Sequence, residues 1–147
     1  KAFLTKSSEH SPHVVIRIDV HVLASSEQTN GQFSSYLVTS PPGPEVPPHS
    51  HDQFDESFYV INGEFEVFLE GKTHKLSPGD FISIPRGAVH GFRNISHSTS
   101  SFLGISTPGG HDAFFEDAGQ LSPEASMDEV RAVFEKHGIQ IVAAPVS

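Results

Sequence analysis

Two histidines stand one residue apart, His49 and His51, in the stretch PPHSHDQFDESFYVING, and a carboxylate follows at Glu56. In an extended chain, residues i and i+2 point the same way. The two imidazoles can therefore face one ion together. The interval DQFD separates them from Glu56, and a bend or bulge there would return the carboxylate to their side. Neutral imidazole and carboxylate suit Fe, Mn, Co, Ni, Cu or Zn. Three protein donors make a weak set, so a fourth is expected downstream. His90, inside the apolar stretch GDFISIPRGAVHGFRN, is the candidate. Each feature alone has a plainer reading. An H-x-H pair on a strand is usually a solvated face, and a single histidine in a strand is usually a hydrogen-bonded core residue.

Such side chains need a rigid frame. Residues 13–23, HVVIRIDVHVL, alternate and predict one half-buried strand with Val14, Ile16, Ile18, Val20 and Val22 on one face. FSSYLVT (33–39) is a second strand. The five prolines of SPPGPEVPP lack the amide donor, which predicts an extended arm outside any central pairing. Segments 57–61 and 64–69 flank Asn62-Gly63, a strong hairpin signal. Glu70-Gly71 and SPGD (77–80) mark further turns. FISIP, AVHGFRNI and SFLGIST follow as short strands. Many short strands without intervening helix predict a sandwich or barrel. After Pro108 the character changes. GGHDAFFEDAG predicts a short helix. Ser126 and Glu129 predict a capping box opening a second helix, with Met127, Val130, Val133 and Phe134 on one face and Gly138 as its C-cap. IQIVAAP (139–145) predicts a last extended segment. The fold class read from these elements is all-β.

The two segments together carry more than either alone. Gly43, His49, His51, Glu56 and Gly63 stand in the pattern G-x5-H-x-H-x4-E-x6-G. Gly79, Pro85, Gly87, His90 and Asn94 stand in G-x5-P-x-G-x2-H-x3-N. These resemble, position for position, the two motifs of the cupin superfamily. The resemblance implies a single-domain jelly-roll barrel over 1–147, with a barrel core over about 32–107 and a C-terminal helical extension over about 108–147. It also implies one divalent transition-metal ion held by His49, His51, Glu56 and His90. The tail stretch TPGGHDAFFEDAG is similar to the PGG-x3-FF-x3-G segment of quercetin 2,3-dioxygenase-like cupins, and FEKHGIQIVAAP resembles their C-terminal end.

That second resemblance implies a dioxygenase acting on a flavonol-like or other aromatic or polyketide enol. Glu56 matches the carboxylate that takes the substrate proton. Dioxygen then attacks the ring, and ring opening releases carbon monoxide. By strand parity Phe58 and Phe92 face the same side as Glu56 and His90. Tyr36 and Val38 are expected to line a wall of the substrate pocket, and Phe54, Phe114 and Phe115 to close its mouth. For any one of these, plain core packing is an equal reading. Asp52, Asp55, His74, Arg86 and His111 receive no role. Fold does not fix reaction. A non-oxidative metal-dependent cyclase, isomerase or lyase is the runner-up, and a non-catalytic small-molecule-binding protein is a third possibility.

Composition narrows the remaining classes. The chain of 147 residues has no cysteine, which removes disulfides, zinc knuckles, iron–sulfur clusters and thiol nucleophiles. A formal charge of −9 disfavours nucleic acid and anionic lipid as partners. No apolar run approaches a membrane span. No signal peptide is visible, which favours a cytoplasmic location, and the chain opens on Lys1, a start that admits trimming. A homodimer built through residues 13–23 is expected by analogy with single-barrel cupins.

Overall fold

Alternating short strands resolve into two antiparallel sheets in a computed structural model that describes residues 1–142. After a 3-10 turn at Ser7–Glu9, the strands are β1 (His13–Val15), β2 (Ile18–Ala24), β3 (Ser34–Ser40), β4 (Glu45–His51), β5 (Asp55–Asn62), β6 (Phe65–Leu69), β7 (Lys72–Leu76), β8 (Phe81–Ile84), β9 (His90–Asn94), β10 (Ser100–Thr107) and β11 (Ile139–Ile141). Helices α1 (His111–Ala118) and α2 (Met127–Lys136) come between β10 and β11. One sheet runs β1-β2-β3-β10-β5-β8 and the other β11-β4-β9-β6-β7. This is the expected all-β jelly roll with short C-terminal helices. Among the described residues, no helix is long and apolar enough to cross a membrane.

The core lies between the sheets, where inward positions of both meet. Phe102 is its hub, with ring centroids 4.3 Å from Phe58, 5.0 Å from Phe92 and 5.2 Å from Phe65. Burial along β3 and β10 alternates strictly, as the pleat requires.

Several elements differ from the sequence expectation. Residues 13–23 form two strands, because Ile16 and Arg17 both take positive φ (51° and 62°) and turn the chain back on itself. Neither is a usual turn residue, and β-branched Ile16 is costly there. Val14 consequently faces solvent and Val15 the core. The proline arm does enter a sheet. β4 pairs with both β11 and β9, and it does so by skipping register between Val46↔Phe92 and His49↔His90. This bulge absorbs the missing amides of Pro47 and Pro48. Opposite the bulge sits Gly91, where a Cβ would lie 2.6 Å from the Val46 carbonyl oxygen.

Asn62-Gly63 is not a hairpin, since β5 and β6 belong to different sheets. The turn is a crossover. The Asn62 amide oxygen accepts from the Ser101 backbone N–H (2.8 Å) and hydroxyl (2.6 Å), which ties it to β10. Glu70-Gly71, by contrast, is a two-residue hairpin, joining Leu69 to Lys72. Ser126 caps α2 as expected, accepting from the Glu129 N–H at 3.1 Å. Met127, however, is 66% exposed, and only Val130, Val133 and Phe134 pack inward. Of the extended segment expected over 139–145, Ile139–Ile141 is strand, and 143–145 lie outside the described residues.

Candidate metal centre

Strand parity places His49 and His51 on the inner face of β4, and register pairs His49 with His90 on β9. All three are buried, and each offers one ring nitrogen within 4.8 Å of the others. Backbone carbonyls fix two of the rings. His49 Nδ1 donates to the Pro47 carbonyl at 2.8 Å, and His90 Nδ1 donates to the Ala88 carbonyl at 3.0 Å. Each bond leaves Nε2 unprotonated in the neutral ring.

Glu56 arrives from β5 in the opposite sheet and is 4% exposed. Its Oε1 lies 3.6 Å from His51 Nδ1 and 3.4 Å from His90 Nε2. Its Oε2 lies 3.6 Å from Nε2 of His111 on α1, and the buried hydroxyl of Tyr36 donates to the same oxygen. That hydroxyl also shares a 2.6 Å hydrogen bond with Ser106.

Burial sets the charge states. Loss of solvent pushes the His49 and His111 pKa values down to about 4 and that of His51 to about 2, so these rings are neutral at pH 7. For Glu56, burial alone would favour the protonated form. The surrounding His51, His90 and His111 outweigh it and hold the carboxyl below its ordinary range. Burial first, and then the Glu56 charge, keep the Tyr36 phenol protonated well above its usual range.

The donor set fits a divalent transition metal. Both nitrogens of His51 and Nε2 of His90 are buried without a hydrogen-bond partner. Buried polar atoms rarely remain so without a reason. Here they are imidazole nitrogens beside a carboxylate, the donor chemistry such an ion takes. The structure thus has a buried three-histidine site able to hold a metal ion.

A cavity of about 60 Å³ opens beside these groups. Tyr36, Val38, Phe58, Phe92, Phe114 and Phe115 all line it. Phe54 does not. It is buried against the rings of His51 and His111, each at 4.6 Å. His111 is the residue that sequence reasoning missed. His111, Phe114, Phe115 and Ala118 are the buried positions of α1, spaced i, i+3, i+4, i+7. The apolar stripe of the helix contained the histidine all along. Arg86 and Asp55, left without a role, form a surface ion pair at 3.2 Å.

Known proteins match this arrangement. A family model described as "Cupin domain" matches residues 36–106. The chain is 33% identical over 98 residues to quercetin 2,3-dioxygenase of Bacillus subtilis (strain 168), covering 67% of this chain and 29% of that protein. It is 41% identical over 91 residues to an uncharacterized protein of Aquifex aeolicus (strain VF5), covering 61% of this chain and 70% of the other. Among solved structures, KdgF from Halomonas sp. superposes with a TM-score of 0.67 at 26% identity, over 77% of this chain and 98% of that one. The chain spans less than a third of the length of the Bacillus dioxygenase it matches. Two sheets closing on a histidine–glutamate cluster, with both sequence motifs in place, identify the chain as a member of the cupin superfamily.

Proposed function

We propose that the protein is a metal-dependent dioxygenase acting on a flavonol-like or other aromatic enol, with His49, His51, Glu56 and His90 as the ligands of its ion. One observation carries the reading: unpartnered imidazole nitrogens and one carboxylate converge at the edge of a phenylalanine-lined cavity. Similarity to a quercetin 2,3-dioxygenase supports the choice of substrate class. A divalent ion bound there supplies Lewis-acid activation of an enol or phenol oxygen and a position for dioxygen.

The chain's own residues do the rest. Glu56 takes the substrate hydroxyl proton, and Tyr36, itself kept protonated, fixes its orientation. Phe58, Phe92 and Phe102 form an apolar wall that excludes water and accepts an aromatic ring. A cavity of about 60 Å³ is far below the roughly 300 Å³ of a small-molecule site. Substrate entry therefore requires the cavity lining to rearrange.

The test is oxygen consumption. Metal-loaded protein is incubated with a panel of flavonols and polyphenols under isotopically labelled dioxygen. Uptake with label in the product supports the reading. An isomeric or dehydrated product without uptake replaces it with a cyclase, isomerase or lyase, and binding without turnover leaves a binding protein.

The same reading extends to assembly as a homodimer through residues 13–23. β1 is an outer strand of its sheet and exposes Val14. Analytical ultracentrifugation should give a dimer that Val14→Lys converts to monomer, and a monomeric parent protein would overturn it.

A further inference from the structure

α1 is held over the cavity by a built anchor. The Gly110 N–H donates to the Ser34 hydroxyl at 3.0 Å, and that hydroxyl donates to Asp112 Oδ1 at 2.6 Å. The Gly109 N–H donates to the Gly31 carbonyl at 2.9 Å. His111 therefore sits between pinned neighbours on either side. Its ring lies parallel to Phe114 (interplanar angle 3°), with its centroid 4.9 Å from that of His51.

Packing alone does not account for an imidazole here. His111 is 5% exposed, and its Nδ1 is buried with no partner. A phenylalanine would fill the same space without that penalty. Meanwhile Nε2 is directed at Glu56 Oε2 across 3.6 Å. His51, Glu56 and His111 offer one donor atom each, all within 4.8 Å, and so form a second triad that shares His51 with the first.

We propose that His111 is a fifth donor of the metal centre, carried in by α1 to coordinate the same ion as His49, His51, Glu56 and His90. The inference rests on the metal-centre reading above. It makes the helix that covers the pocket part of the coordination shell.

The experiment uses Cu²⁺ as the probe. Wild-type protein, His111→Phe and Phe114→Leu are each loaded with one equivalent. Coordinated nitrogens are counted by pulsed electron paramagnetic resonance, and affinity is measured by competition with a chelator. His111→Phe keeps the ring volume, and Phe114→Leu disturbs α1 packing while keeping the imidazole. The expected result is four imidazole nitrogens in wild type and Phe114→Leu but three in His111→Phe. The Kd of His111→Phe should rise roughly tenfold or more, at least the effect of perturbing a ligand's surroundings. Identical nitrogen counts and Kd in wild type and His111→Phe would overturn this inference and leave the metal centre standing. A loss of the same nitrogen in Phe114→Leu would assign the effect to packing and also overturn it. Wild type that binds no ion would remove both.

Discussion

Glu56 reaches across from one sheet to within 3.6 Å of His51 Nδ1 in the other, while its second oxygen accepts a hydrogen bond from Tyr36. The carboxylate is a buried negative charge among imidazole rings. Glu56→Gln preserves shape and removes that charge. It should lower kcat by roughly 10²- to 10⁴-fold, the range for loss of a positioned proton acceptor, and weaken ion binding. Oxygen uptake and metal titration on the same preparation check it, and unchanged turnover would remove Glu56 from the chemistry.

His51 makes no hydrogen bond through either ring nitrogen. In the metal-free protein this is a burden of about 1–3 kcal/mol. His51→Leu should therefore raise the Tm of the apo protein, by ~2–4 °C per kcal/mol at this chain length, while reducing bound metal to background. Differential scanning calorimetry and elemental analysis give the two readouts. A lower Tm would show that the imidazole has a partner after all.

The buried histidines also set a pH dependence. Folding lowers the His49 pKa from 6.5 to about 4 and that of His51 to about 2. Below pH 6.5 the unfolded chain binds protons that the folded chain refuses. This contribution is therefore complete above pH 6.5 and is lost as pH falls, toward about 4 for His49 and further, toward about 2, for His51. For His49 it amounts to about 3 kcal/mol. Urea melts of apo protein between pH 7.5 and 4 should show steadily falling stability, and a flat profile would contradict the burial of these rings.

Gly91 faces the bulge at Pro47 and Pro48, with backbone atoms 2.6 Å and 3.2 Å from where a Cβ would sit. Backbone has little room to yield. Gly91→Ala should cost about 1–3 kcal/mol and lower metal affinity, because its sequence neighbour His90 pairs across the strands with His49. Denaturant midpoint and metal titration would move together. A drop in stability alone would mean that the strand shifts without carrying the rings.

Much of the site was legible because strand geometry is periodic. The two-residue repeat put His49 and His51 on one face, and the same parity placed Phe58 and Phe92; joining His90 and Glu56 to them took the resemblance to the two cupin motifs. What escaped depended on partners distant in sequence. Ile16-Arg17 turns without a turn residue, so nothing local announced the hairpin. Pro47 and Pro48 enter a sheet because their carbonyls still find donors, in His49 Nδ1 and the Val142 N–H. Asn62-Gly63 has hairpin composition, but Ser100 and Ser101 on a remote strand decide where it leads.

His111 escaped for another reason. A histidine in an amphipathic stripe reads as polar in a hydrophobic pattern, and its value is visible only once Glu56 stands opposite. Sorting residues by polarity hid a residue that spacing had already placed.

The groups around the cavity come from separately anchored parts of the molecule: three rings from one sheet, a carboxylate from the other and a fourth ring from a helix. An ion seated among them would act as a rivet through the barrel. Prising its two leaves apart would first mean breaking bonds at the centre, so mechanical resilience and chemical competence would fail in a single event.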